Sequence, residues 1–195
     1  SLVKGNIYAL LSGCSNKKFK VNLKGVKTKI KSKSFWIGQK EKEVLLANYQ
    51  GKIEVTARNA TVVLRKNKGT KVREAQKPTQ PVDLLNAPQP GTPADNAAIY
   101  LNKKNKRVRF SWQPVDDAAA YEMEISYNKP SFDKIHRVLK KLKSPAATLG
   151  SLKNGTYYWR VWAVDKNGFP GVKSRAKVVN VINDTTAPFI VIRSP

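Results

Sequence analysis

From Val26 to Ser34 the chain alternates without a break: Lys27, Lys29, Lys31 and Lys33 take every second position, between Val26, Thr28, Ile30, Ser32 and Ser34. Successive side chains of a β-strand point to opposite faces. The stretch therefore predicts a strand with one lysine-studded wet face and one face to bury. The same period of two recurs in Phe19-Val21-Leu23, Ile53-Val55 and Val62-Leu64, while long helical spacing is missing nearly everywhere. Gly25, Gly38, Gly51 and Gly69 fall between these runs, where turns need positive φ or close backbone approach. Five to seven short strands fit within roughly the first 75 residues, and a β-roll, barrel or short solenoid would hide their edges.

Between Lys77 and Asp95 the pattern stops. Pro78, Pro81, Pro88, Pro90 and Pro93 put five prolines into sixteen residues, and proline neither donates to a sheet ladder nor lets its predecessor turn helical. Residues 78–95 are expected to form a stiff connector between a first domain over residues 1–77 and a second over residues 84–186. In the second domain alternation resumes. Val108-Phe110-Trp112, Tyr121-Met123-Ile125, Tyr157-Trp159-Val161-Ala163 and Val179-Val181 each predict a strand, at the turn spacing of a sandwich. In the segment from Asp133 to Leu142, Ile135, Leu139 and Leu142 also fit helical spacing; it is read as a strand with an irregular crossing and room for a helical turn. Residues 187–195, with Ile190-Val191-Ile192, look like the start of a further module. The expected fold class is all-β throughout.

Composition bounds what such a chain can do. With 195 residues, 41% of them hydrophobic, it can bury two cores without staples. Thirty-seven Lys and Arg against thirteen Asp and Glu give a net charge of +24. Such a surface attracts polyanions, whether nucleic acid, anionic lipid headgroups or acidic wall polymer; equally, the lysines can be no more than a solvated surface. Lysine outnumbers arginine 28 to 9, and it lacks the planar fork that nucleic-acid readers favour. No apolar run approaches the ~20 residues of a membrane span. Because the chain starts at Ser1, it is expected to be a processed or excised piece, with any export signal or membrane anchor outside it. The single cysteine, Cys14, can neither form an internal disulfide nor build a zinc site alone. Leu11-Ser12-Gly13-Cys14 resembles a bacterial lipobox, but Lys4, Asn6 and Tyr8 before it make a poor apolar core. A turn cysteine and a lipid-attachment site both stay open.

Residues for catalysis are scarce. His136 is the sole histidine, so any Ser-His-Asp, Cys-His or multi-His arrangement would have to use it. Asp116 and Asp117 are adjacent in a turn signal, not paired across a cleft as glycoside hydrolysis requires. Glu122 and Glu124 alternate with inward-facing Tyr121, Met123 and Ile125 and are expected on a wet strand face. No phosphate-cradling or dinucleotide glycine pattern occurs. No enzymatic activity, cofactor or metal is expected.

Candidate binding residues lie on the predicted surface. Lys17, Lys18, Lys20 and Lys24 with Lys27, Lys29, Lys31 and Lys33 form a dense basic block, and Trp36 stands beside a buried Phe35. If Tyr157 and Trp159 face inward, Tyr158, Arg160 and Trp162 face outward, a row suited to a sugar ring, a peptide or a partner domain. Alternatively, Arg160 stacks between the rings or the row is covered. No aromatic series interleaves with the lysines as single-strand binding would require, so nucleic acid is not the expected partner.

The order Phe35-Trp36-Ile37-Gly38, Val44 to Val55 with Gly51-Lys52-Ile53-Glu54-Val55, Val62-Val63-Leu64 and Gly69-Thr70-Lys71-Val72 resembles the FecR family domain over residues 25–77. Lys31, Ser32 and Lys33 stand where that family usually carries Arg-Gly-Thr. Over residues 84–184 the chain resembles a fibronectin type III-like sandwich, on Phe110-Ser111-Trp112-Gln113-Pro114, Ala120 to Ile125, Leu152 to Val161 and Ala163-Val164-Asp165. That resemblance implies Trp112 filling the space between sheets and Tyr157 as a tyrosine corner tied to backbone near Leu152. The two together imply a small FecR-like β-roll or solenoid followed by a β-sandwich, in a bacterial periplasmic or extracytoplasmic protein. The implied function is a cell-envelope adaptor or scaffold for an anionic wall polymer or an envelope protein. A FecR-type relay to a sigma factor and a carbohydrate-binding module are the alternatives. Membrane contact would come only through segments outside this chain.

Overall fold

The computed structural model describes residues 5–10, 20–23, 25–102, 105–132 and 135–183. Cys14, Lys17, Lys18, Phe19, Lys24 and the stretch 187–195 lie outside the described residues. Every element described is a β-strand, as the period-two alternation predicts, and among the described residues no helix is long and apolar enough to cross a membrane. The chain divides into two compact units. The first comprises Ser1–Ala87, Val115–Ala120 and Trp162–Lys173; the second comprises Pro88–Pro114, Tyr121–Val161 and Ser174–Pro195.

The first unit is organised by two long strands, β3 (Val26–Gln39) and β4 (Glu43–Ala57), paired antiparallel along almost their whole length. β2 (Asn22–Leu23) joins the start of β3, and β1 (Gly5–Leu10) pairs with its end. β5 (Ala60–Leu64) pairs with the end of β4; β6 (Lys68–Arg73) pairs with its start and carries β7 (Val82–Asp83). β4 and β5 join through Arg58 and Asn59, both at positive φ (49° and 58°), as a two-residue hairpin turn of matching twist demands.

Midway, the register of β3 on β4 slips twice, between Ser32 and Ser34 and between Ser34 and Phe35. A slip by one residue exchanges the faces of a strand, and the core uses this. Val26 and Ile30 enter the main apolar cluster from even positions, Phe35 and Ile37 from odd ones; on β4 the order reverses, with Val44 and Leu46 followed by Ile53, Val55 and Ala57. The cluster is completed by Leu23, Leu64 and Val72. Residues 44–49 of β4 are buried on both faces. Their second face, Leu45, Ala47 and Tyr49, meets Leu84 and Phe169, with Trp36 and Val172 at its edge. The proline-rich stretch therefore contributes structure to this unit, through β7 and through Leu84.

Most residues of the second unit lie in a pair of sheets. One runs in the order β11 (Ile135–Leu142), β10 (Ala118–Tyr127), β13 (Gly155–Asp165), β14 (Lys177–Asn183), β8 (Ala97–Leu101); the other pairs β9 (Arg107–Ser111) with β12 (Ala146–Gly150). Pro90 adds a bridge to Trp112 at the end of β9, and β8 then lies parallel to β14. Buried Phe110 and Trp159 meet edge-on at 5.2 Å, and Trp112 meets Tyr121 at 5.5 Å. The ambiguous segment is β11, a strand whose register on β10 shifts twice. Its helical spacing of Ile135, Leu139 and Leu142 comes from those irregularities.

Candidate functional site

The lysine row is the consequence of β3 and its bulge. Val26, Thr28, Ile30 and Ser32 are buried, so Lys27, Lys29, Lys31 and Lys33 are exposed on the opposite face. At a strand rise of roughly 3.3 Å per residue, the four Cα positions span about 20 Å. Beside them, register sets Lys52 opposite Lys31, Glu54 opposite Lys29 and Thr56 opposite Lys27. β5 extends the face with Thr61 and Val63, which lie opposite Thr56 and Glu54. The Thr56 and Thr61 hydroxyls are 2.8 Å apart, and Val63 is an exposed apolar group.

Glu54 is the counter-charge among these residues. Its Oε1 lies 2.9 Å from Lys52 Nζ and its Oε2 3.8 Å from Lys29 Nζ. The hydrogen bond from Lys52, followed by the charges of Lys52, Lys29 and Lys31, holds its carboxyl below the ordinary carboxylate value. One carboxylate thus faces five ammonium groups, leaving a surplus of positive charge on this face. Long lysine stems let those charges follow an irregular anion without reshaping the backbone.

The geometry of the row depends on Gly51. Its φ is +93°, and a Cβ there would lie 2.4 Å from the Lys31 carbonyl oxygen. Across from it the Ser32 hydroxyl fills the bulge: it accepts from the Ser34 backbone N–H and donates to the carbonyls of Ser34 and Gln50. The two N–H hydrogens of Asn48 Nδ2 are shared among the carbonyls of Gly51, Leu64 and Arg65, which ties the bend to the β5–β6 turn.

The other sequence candidates go elsewhere. Phe35 is buried in the main cluster. Trp36 is half-buried against the second cluster, its ring covering Gly38, where a Cβ would come within 2.2 Å of it. It takes no part in the lysine face. Tyr158 is half-buried. Arg160 is ion-paired with Glu124 and stacked 4.0 Å above the Phe132 ring. Trp162 is 6% exposed, with Lys173 Nζ 4.4 Å from its ring centroid. These three residues form no open platform, because Arg160 and Trp162 spend their binding surfaces inside the protein. Glu124 corrects the expectation of a wet strand face: it is 6% exposed, buried by the arginine that neutralises it.

The structural residues do what their sizes require. Trp112, Tyr121, Tyr157 and Trp159 are all buried. The Tyr157 hydroxyl donates to the Lys153 carbonyl at 3.2 Å and accepts from the Lys153 N–H at 3.1 Å. Burial pushes its pKa up. His136 is exposed on β11, its ring 6.2 Å from Tyr127 and 5.7 Å from Tyr157. Asp116 and Asp117 are exposed in the turn that Ala118 closes on Val115. Among the described residues no cluster of three His, Cys, Asp or Glu could hold a metal ion.

Lys52, Glu54 and Val63 belong to the face but not to the sequence candidates. They become visible only when the β3–β4–β5 register is known, since each is brought to the row by cross-strand pairing.

The two-sheet order, with a tyrosine corner opening β13, matches a known architecture. The second unit has the two-sheet arrangement that the fibronectin type III-like resemblance implies. No family model matches the chain, and no curated protein matches it. Among solved structures it is similar to an Fn3-like protein from Clostridium thermocellum, at 19% identity over 51% of this chain and 96% of that one, TM-score 0.39. It is also similar to the fn3 domain of the human collagen alpha-1(XX) chain, at 19% identity over 55% and 92%, TM-score 0.35. CopC from Methylosinus trichosporium OB3b is a third, at 16% over 52% and 99%, TM-score 0.35.

Proposed function

We propose that this protein is a non-catalytic adaptor of the bacterial cell envelope, outside the cytoplasm, that docks on an anionic wall polymer through the β3 lysine face. The observation that carries this reading is the exposed row Lys27, Lys29, Lys31 and Lys33, extended across the ladder by Lys52 and, among the described residues of this face, opposed by Glu54. A row of flexible point charges suits a repeating polyanion better than a single shaped ligand. It needs no cofactor.

The FecR-like resemblance supports the envelope setting. The residues that carry it, Phe35 and Gly51-Lys52-Ile53-Glu54-Val55, lie within β3 and β4, the strands that present the lysines. A FecR-type relay between envelope and cytoplasm is the finer reading of the same resemblance. Against a sugar-binding platform stands the burial of Trp162 and the engagement of Arg160.

The test is co-sedimentation with purified peptidoglycan sacculi, with and without attached anionic polymer, across a salt series. Retention should depend on the anionic polymer and fall steeply as salt rises. Equal retention on polymer-stripped sacculi, or none at low salt, would rule the docking role out.

A further inference from the structure

Away from the lysine face, the first unit contains a cavity of about 310 Å³ lined by Gly25, Val26, Ala57, Arg58, Val72, Arg73, Ala75 and Gln76. Three segments converge on it: the start of β3, the β4–β5 hairpin tip and the end of β6. We infer that it is a binding site for a carboxylate carried on a small aliphatic group.

Both halves of that ligand are read from the lining. Val26, Ala57 and Val72 are 2%, 5% and 3% exposed and supply an apolar wall of short side chains. Arg58 and Arg73 bring two guanidinium groups, the donors best matched to a planar carboxylate. No described carboxylate forms an ion pair with either. Glu43, opposite Arg73 across the ladder, binds Lys40 Nζ at 3.0 Å and lies 3.8 Å from Lys71 Nζ; it also feels the charge of Arg73, without forming an ion pair with it. Gln76 adds an amide able to donate or accept. The volume is at the small end of the range for ligand pockets, about 300–1,000 Å³, which excludes a large body.

The cavity is rimmed by tight turns. Gly25, Arg58 and Ala75 all have positive φ, at +78°, +49° and +58°. Gly25 leaves open space where a Cβ would stand, and Ala75 presents nothing beyond a methyl group.

Two sources can present this chemistry: a free short-chain acid, or the C-terminal carboxylate of a peptide ending in alanine. A titration of the ¹⁵N-labelled chain separates them, using acetate, the dipeptide Ala-Ala and its C-terminal amide. Ala-Ala should saturably shift the amides of Gly25, Arg58, Ala75 and Gln76, and the amide form should not. Acetate binding as tightly as Ala-Ala would identify the free acid as sufficient; Ala-Ala alone would identify the peptide end. Arg58→Gln and Arg73→Gln should each weaken binding about tenfold, with an unchanged melting curve confirming that the fold survives. Equal shifts from the amide form, shifts confined to Lys27–Lys33, or full affinity in both variants would overturn the assignment.

Discussion

Gly51 stands against the Lys31 carbonyl oxygen so closely that a single added carbon would come within 2.4 Å of it. That approach occurs where β3 and β4 exchange their buried faces, so one glycine links the lysine row to the core beneath it. Gly51→Ala meets two costs, a left-handed φ and a collision with backbone. It should destabilise the protein by about 2–4 kcal/mol, read as a lower urea midpoint. The lysine row should lose polymer affinity in the same variant. A midpoint within experimental error of the parent would mean that the bend is not fixed by this contact.

The lysine row was legible from sequence because strict alternation leaves no choice: once Val26 and Ile30 are buried, the lysines must be outside. The exchange of faces at the bulge was not, because Ser32, Lys33 and Ser34 carry no signal of which residue is skipped. Only the pairing with Gly51 and Gln50 decides it. Glu124 departs from the alternation rule for a related reason. Alternation correctly turns its side chain away from the core, but a face turned outward is not necessarily wet. Arg160 and Phe132, distant in sequence, close over it. β8 and β12 escaped notice because Ala97–Leu101 and Ala146–Gly150 are short and alanine-rich, with few of the β-branched residues that mark a strand.

The Arg160–Glu124 pair yields a sharp asymmetry. Removing the arginine leaves a carboxylate that is 6% exposed without its cation, a loss of about 3–5 kcal/mol. Arg160→Met should therefore melt well below the parent. The double variant Arg160→Met with Glu124→Met should recover most of the loss, since two apolar groups of similar size remove the stranded charge. Failure of the double variant to recover would show that the pair serves something besides charge neutralisation.

Phe169 is 3% exposed and packs with Leu45, Ala47, Tyr49 and Leu84, while the adjacent Pro170 carbonyl accepts a 2.9 Å hydrogen bond from the Tyr49 hydroxyl. Phe169→Ala should cost about 3–5 kcal/mol by emptying that space. Gly69, whose absent Cβ would lie 3.1 Å from the ring, cannot fill it without moving β6. Thermal unfolding measures the loss; a change under 1 kcal/mol would mean the cluster closes on itself.

At the tyrosine corner the sign of the pH effect is fixed. Burial raises the Tyr157 phenol pKa above its ordinary 10.0. The folded state therefore holds the proton more tightly than the unfolded chain does. This stabilising contribution is complete below the unfolded pKa and is lost as pH rises through the folded one. Tyr157→Phe removes both bonds to Lys153 and should cost about 1–3 kcal/mol at neutral pH. Its stability should also fall less steeply than the parent's above pH 10. Parallel alkaline slopes would assign the parent's loss to other groups.

Glu54 gives the most direct test of the lysine face, because removing it should strengthen binding. Its carboxylate occupies Lys52 and draws on Lys29, and any anion that docks must compete with it. Glu54→Gln keeps the shape of the side chain and frees those cations. Retention on anionic wall polymer should persist to higher salt, with a slope of log affinity against log salt steeper by about one unit per cation recruited. Protonation acts in the same direction in the parent. Because the folded pKa lies below the ordinary 4.5, acidification toward it should raise affinity for a phosphate-bearing polymer that stays ionised. It should also remove the stability that the ionised carboxylate supplies above the unfolded pKa. Glu54→Gln should show neither pH dependence. If it binds no better than the parent while Lys29→Gln and Lys31→Gln both weaken retention, the lysines engage the polymer beyond the reach of Glu54, and the contact runs along β3 alone.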